Sequence, residues 1–188
     1  ILEEHPKVFG ENRLEKKVLA LQVEIAEVAQ EWRGFKFWSH KNHPTAAETK
    51  ECYECYGSGE VNELKEINKC ASCEGKGFIV TKNALLEEYV DCVHFILSIG
   101  NDLGVIIPKF NTERDSYDHT KYETIELFIH TGKCVNAILN GGGDTNRYRK
   151  AFRAIVMLGY KLGFEWAEIE EYYFKKNAIN HERQENNY

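Results

Sequence analysis

Apolar residues recur at steps of three and four in several stretches of this chain, and polar residues fill the positions between them. From Leu14 to about Trp32 the stripe runs through Leu14, Val18, Leu21, Ile25 and Val28, which predicts a helix with one buried face. A second predicted helix spans about Asn83 to Leu103, with Leu86, Val90, Val93, Phe95 and Leu97 toward the core and Gly100 and Gly104 at its end. A third covers Tyr122 to Leu139 through Ile125, Phe128, Ile129 and Val135, ending at Asn140-Gly-Gly-Gly-Asp144. Asp144 or Thr145 is placed to cap a fourth, which carries Tyr148, Phe152, Ile155, Val156 and Tyr160 and stops at Gly163. A fifth begins near Trp166 and passes Ile169, Tyr172 and Tyr173 into a polar tail, Lys175 to Tyr188. Between these lie an aromatic run, Phe35-Lys-Phe-Trp38, a polar loop from Ser39 to Lys50 with Pro44, and a loop over 105–118 with Pro108. The pattern predicts an all-α fold, a helical bundle.

Length and charge narrow the function. A chain of 188 residues is enough for a single domain over 1–188, burying roughly 70% of the surface its unfolded form exposes. A net charge of −6 argues against coating nucleic acid or anionic membrane, because those partners reward clustered Lys and Arg. An acidic protein with a polyanionic substrate needs metal. No apolar run approaches the ~20 residues that span a bilayer, and no signal peptide is recognisable, which predicts a cytoplasmic protein. The chain opens at Ile1 without Met, and Ile1 to His5 reads as the end of a helix already under way.

The segment over about 50–80 departs from the helical pattern. Cys52-Tyr-Glu-Cys-Tyr-Gly-Ser-Gly59 returns as Cys70-Ala-Ser-Cys-Glu-Gly-Lys-Gly77, two copies of CxxCxGxG. Two CxxC pairs can wrap Cys52, Cys55, Cys70 and Cys73 tetrahedrally around one Zn²⁺, and four thiolates leave no open position for water, so a structural zinc is expected rather than a catalytic one. The glycines let the chain turn back through positive φ after each pair. The pattern resembles half of the four-repeat cysteine-rich module of the DnaJ chaperones, which implies a one-zinc unit and not chaperone activity.

Carboxylates mark a second site. Glu24, Glu27 and Glu31 share one face of the first helix, and Glu88 and Asp91 lie at i, i+3 on the second. Such spacing is usually a solvated face. Here, however, Leu19 to Gln30 and Ala84 to Asn101 contain no Lys or Arg, and like charges unpaired within one turn are best tolerated where cations bind.

Glu24-Ile-Ala-Glu27 and Leu85-Leu-Glu-Glu-Tyr-Val-Asp91 resemble the ExxE and ExxD motifs of the all-α nucleoside triphosphate pyrophosphatases, and within them the dimeric dUTPases. Leu19 to Glu24, Phe35 to Trp38, Val93 to Gly100 and the tail Lys176 to Tyr188 are similar to that group as well. The tail departs from its K-N-x-x-N-x-x-R-Q-x-x-G-Y pattern at Asn187. The resemblance covers nearly everything outside 40–82 and places the cysteine segment as a zinc-binding insertion.

The resemblance implies Mg²⁺-dependent hydrolysis of dUTP to dUMP and pyrophosphate by a homodimer, with two or three Mg²⁺ on Glu24, Glu27, Glu88 and Asp91 and with Glu24 as the base. It further implies phosphate contacts from Lys176, Arg183 and Tyr188, a pyrimidine contact from Asn180, and Trp38 and Phe95 flanking the base. Hydrolysis of dCTP or of a broad MazG-like range is the nearest alternative. A zinc-bearing adaptor without catalysis is the alternative of another class.

Overall fold

The computed structural model describes residues 11–63, 66–105, 119–140 and 144–185. Five helices carry most of them: α1 (Arg13–Trp32), α2 (Ala84–Asp102), α3 (Thr124–Ala137), α4 (Thr145–Lys161) and α5 (Trp166–Glu185). Four short strands, β1 (Glu48–Glu51), β2 (Glu60–Glu63), β3 (Glu66–Lys69) and β4 (Phe78–Lys82), form two separate antiparallel pairs, β1 with β4 and β2 with β3. The fold is all-α. The chain divides into two compact units, one made of Ile1–Pro44 with Leu85–Tyr188 and the other of Thr45–Ala84. The expected helix end at Ile1 to His5 and most of the 105–118 loop lie outside the described residues.

In the helical unit, α1 buries Val18, Leu21, Ile25 and Val28, and this stripe shares one core with Leu86, Val90, Val93, Ile96 and Ile99 of α2. Helix ends are set locally. The Asn12 side chain accepts a hydrogen bond from Glu15 N–H at 3.3 Å, and Arg33 turns left-handed with φ 62°, its N–H returning to the Ala29 carbonyl at 2.9 Å. Asp144 caps α4 by accepting from Asn146 N–H at 2.8 Å.

Two tyrosines lock the helices together. Tyr89 of α2 is fully buried and donates its hydroxyl to the Ile155 carbonyl of α4 at 3.0 Å, lying so close to Gly159 that a Cβ there would meet the hydroxyl at 2.3 Å. Tyr148 of α4 presses likewise on Gly100 of α2, where a Cβ would meet its hydroxyl at 2.3 Å. Glycine at each position lets a ring approach the partner backbone, which fixes how α2 sits against α4.

Three expectations need correction. Gly100 does not end α2, which continues to Asp102; the glycine serves the packing of Tyr148 instead. On α3 the buried positions are Leu127, Thr131 and Val135, whereas Ile125 and Ile129 are exposed. The Thr131 hydroxyl satisfies itself on the Ala154 carbonyl at 3.3 Å, so a polar residue holds a core position that the apolar pattern did not assign to it. The fifth helix does not give way to a polar tail at Lys175, because α5 runs on to Glu185. Among the described residues no helix is long and apolar enough to cross a membrane.

Candidate functional sites

Glu24 and Glu27 lie one turn apart on α1, and Glu88 and Asp91 one turn apart on α2. The Ile25 and Val28 stripe that buries α1 leaves Glu24 at the edge of the core, half-buried, and Glu27 in solvent. On α2, Tyr89, Val90 and Cys92 point inward and hold Glu88 and Asp91 at the same edge. Carboxylate oxygens of Glu24, Glu27 and Glu88 all come within 4.8 Å of one another. Glu31 is not part of this oxygen cluster.

Such a cluster resists ionisation. Partial burial, with the charges of Asp91, Glu27 and Glu88 added, pushes the Glu24 carboxyl up to about 7. Burial raises Glu88 to about 6 against the opposing pull of Lys176, with Glu27 and Asp91 adding to the rise. Cys92, buried just behind, is raised by its burial and by Glu24, Asp91 and Glu88. Hard oxygen donors that hold protons because burial and neighbouring charges disfavour their ionised form are a donor set suited to Mg²⁺.

The fourth carboxylate has a different partner. Lys176 of α5 bonds Asp91 through its ammonium and reaches the Glu87 carboxylate at 3.7 Å and the Glu87 carbonyl at 3.5 Å. Sequence reading assigned Glu87 no role, since it is only one more acidic residue beside Glu88, and its partner lies far along the chain. His94, one turn beyond Asp91, stacks on Tyr173 of α5 at 4.1 Å, which seats α5 against α2.

The remaining candidates fall in several places. Phe95 is half-buried and packs against the core, and Trp38 is 65% exposed, edge-on to Phe37 at 5.0 Å and Phe35 at 5.9 Å. Asn180 and Arg183 fall on α5 with side chains outside the description, and Tyr188 lies outside the described residues.

In the smaller unit, Cys52, Cys55, Cys70 and Cys73 are all buried with their sulfurs within 4.8 Å of one another. Cys52 and Cys70 sulfurs are 3.7 Å apart and those of Cys55 and Cys73 3.6 Å. Tetrahedral Zn²⁺ with bonds of about 2.3 Å requires sulfurs roughly 3.8 Å apart, so the four thiols fit that ion. The two repeats are near-mirrors in their bonding. Gly59 N–H donates to the Cys55 sulfur and Gly77 N–H to the Cys73 sulfur, each at 3.2 Å. Across the repeats, Cys52 N–H bonds the Gly77 carbonyl at 3.0 Å and Cys70 N–H the Gly59 carbonyl at 2.9 Å. Gly57, Gly59, Gly75 and Gly77 all take φ near +80°, and a Cβ at Gly59 or Gly77 would strike the opposite loop's carbonyl at 2.4 or 2.3 Å. Neither position admits a side chain.

A family model described as dUTPase matches residues 1–55 and 76–188. The chain belongs to the dUTPase family. It is thus a hydrolase acting on nucleotides, and residues 56–75, which include Cys70 and Cys73, fall between the segments that share the dUTPase pattern. No curated protein and no solved structure matches the chain.

Proposed function

We infer that this dUTPase family member hydrolyses dUTP to dUMP and pyrophosphate with Mg²⁺ held by Glu24, Glu27, Glu88 and Asp91. The observation that carries the reading is the convergence of carboxylates from α1 and α2, in a family that acts on nucleotides, with oxygens close enough to share a cation. Bound there, Mg²⁺ would offset the charge of the triphosphate and make an attacking water more acidic. Glu24, half-buried beside Glu27 and Glu88, is the group to accept that water's proton. Glu27 and Glu88 serve mainly as ligands. Lys176 and Arg183 on α5 supply positive charge for the phosphates, Tyr188 a further donor, and Asn180 the paired amide that a pyrimidine edge requires. Trp38 and Phe95 flank the base.

The thiol cluster holds one structural Zn²⁺ within an insertion, supported by sulfur spacings that already suit the ion and by the gap in the family match. The working form is a homodimer. The test is hydrolysis of a panel of deoxynucleoside triphosphates with Mg²⁺, following pyrophosphate release. dUTP should lead the panel by at least an order of magnitude in kcat/KM. Turnover of dCTP without dUTP would overturn the substrate, and no turnover of any triphosphate would overturn the reaction.

A further inference from the structure

Asp91 stands apart from the other three carboxylates in one respect. Oxygens of Glu24, Glu27 and Glu88 cluster with one another, whereas the Asp91 carboxylate is bonded to the Lys176 ammonium. This pair is sheltered, with side-chain exposures of 21% for Asp91 and 18% for Lys176, and the lysine is seated a second time by the carboxylate and carbonyl of Glu87. The His94–Tyr173 stack, one turn away on both helices, fixes α5 in the register that delivers Lys176 to this point. No Lys or Arg of α1 or α2 stands closer in sequence to the four carboxylates than Lys17, which is bonded to Asp102 at 2.6 Å at the far end of α2.

We propose that Lys176 is a built-in counter-ion that occupies the Asp91 position while no nucleotide is bound, seated by Glu87, and that divalent metal and lysine compete for Asp91. The proposal rests on the metal reading above and extends it to an order of events. An ammonium and a divalent cation cannot both neutralise one carboxylate at close range without strong mutual repulsion. Metal alone must therefore displace Lys176 from Asp91 and leave it only the more distant Glu87 carboxylate. A triphosphate offers the lysine a new anionic partner, so nucleotide and metal each ease the binding of the other, and the two affinities are reciprocally coupled. Glu87 gains a role as a positioning residue that seats Lys176 against Asp91.

The test uses Mn²⁺ as the probe, titrated by electron paramagnetic resonance into nucleotide-free full-length protein at pH 8, comparing wild type with Lys176→Met and Lys176→Arg. Lys176→Met should bind Mn²⁺ at least about tenfold more tightly than wild type, while Lys176→Arg, which keeps the cation, stays within about twofold. Equal Mn²⁺ affinity in wild type and Lys176→Met, with dUTP turnover intact in wild type, overturns the counter-ion and leaves the metal reading standing. Absence of Mn²⁺ binding in all three proteins overturns both. An arm that needs no variant guards against misfolding: acetic anhydride labelling of wild type, read by peptide mass spectrometry against the neighbouring exposed Lys175. Mn²⁺ alone should raise the labelling of Lys176 severalfold relative to Lys175; an unchanged ratio overturns the proposal.

Discussion

Replacing Glu24 by Gln removes the carboxyl most strained by its surroundings, and the effect on stability should depend on pH in a direction the site dictates. In the metal-free protein Glu24 titrates at about 7 instead of the usual 4.5, because burial and the neighbouring Asp91, Glu27 and Glu88 oppose its charge. A carboxyl raised in the folded state binds its proton more tightly there than in the unfolded chain. Its contribution is then most favourable below about pH 4.5 and is lost as pH rises toward 7. A rise from 4.5 to about 7 corresponds to ~3.4 kcal/mol for a group shielded from solvent. Solvent reaches this half-buried group, and screening reduces the figure to about 1.5 kcal/mol, of which about 1 kcal/mol falls between pH 4.5 and 8. The assay is urea unfolding followed by circular dichroism, on protein freed of Mg²⁺ by chelating resin but with zinc retained. Wild type should lose about 1 kcal/mol relative to Glu24→Gln over that range. At pH 8, Mg²⁺ at ten times its Kd should then return ~1.4 kcal/mol to wild type alone. A difference between the two proteins that is flat with pH, or that grows in wild type's favour, would refute the reasoning.

Other consequences can be checked separately. Glu88→Gln should lower kcat on dUTP by at least about 100-fold with an unchanged or higher Tm; retained turnover would remove Glu88 from the metal set. Gly159→Ala should destabilise by about 2 kcal/mol in urea, since the new Cβ meets Tyr89 at 2.3 Å and the gain in helix propensity of about 1 kcal/mol only partly offsets it. Because Tyr89 follows Glu88 directly, turnover should fall with stability; a variant as stable as wild type would mean that the α2–α4 contact is looser than described. Gly77→Ala, which drives a Cβ into the Gly57 carbonyl at φ +78°, should release zinc to a chromogenic chelator much faster than wild type, and equal release rates would argue against the crossed loops.

The legible parts of this molecule were those written in short-range spacing. The α1 stripe from Val18 to Val28, the ExxE and ExxD pairs and each CxxCxGxG copy are each confined to a short run of residues, so periodicity and motif reach them. What escaped depends on partners distant in sequence. Thr131 takes a core position because the Ala154 carbonyl satisfies its hydroxyl, and nothing near Thr131 announces that. Gly100 looks like a stop until Tyr148 is placed against it. Lys176 was read as a phosphate contact on a polar tail; its bond to Asp91 spans most of the helical unit and appears only when α5 is laid beside α2.

The pairing of β1 with β4 has a topological meaning. Glu48 stands opposite Lys82, so the polypeptide leaves and rejoins its path at adjacent points. Everything between them is a detour that closes on itself, with β2 and β3 at the far end and the four sulfurs midway. Such an appendage can be lengthened, shortened or exchanged without changing the separation of the chain segments that flank it. Sequence variation in this protein therefore has a place to accumulate, up to the two residues where the strands first meet.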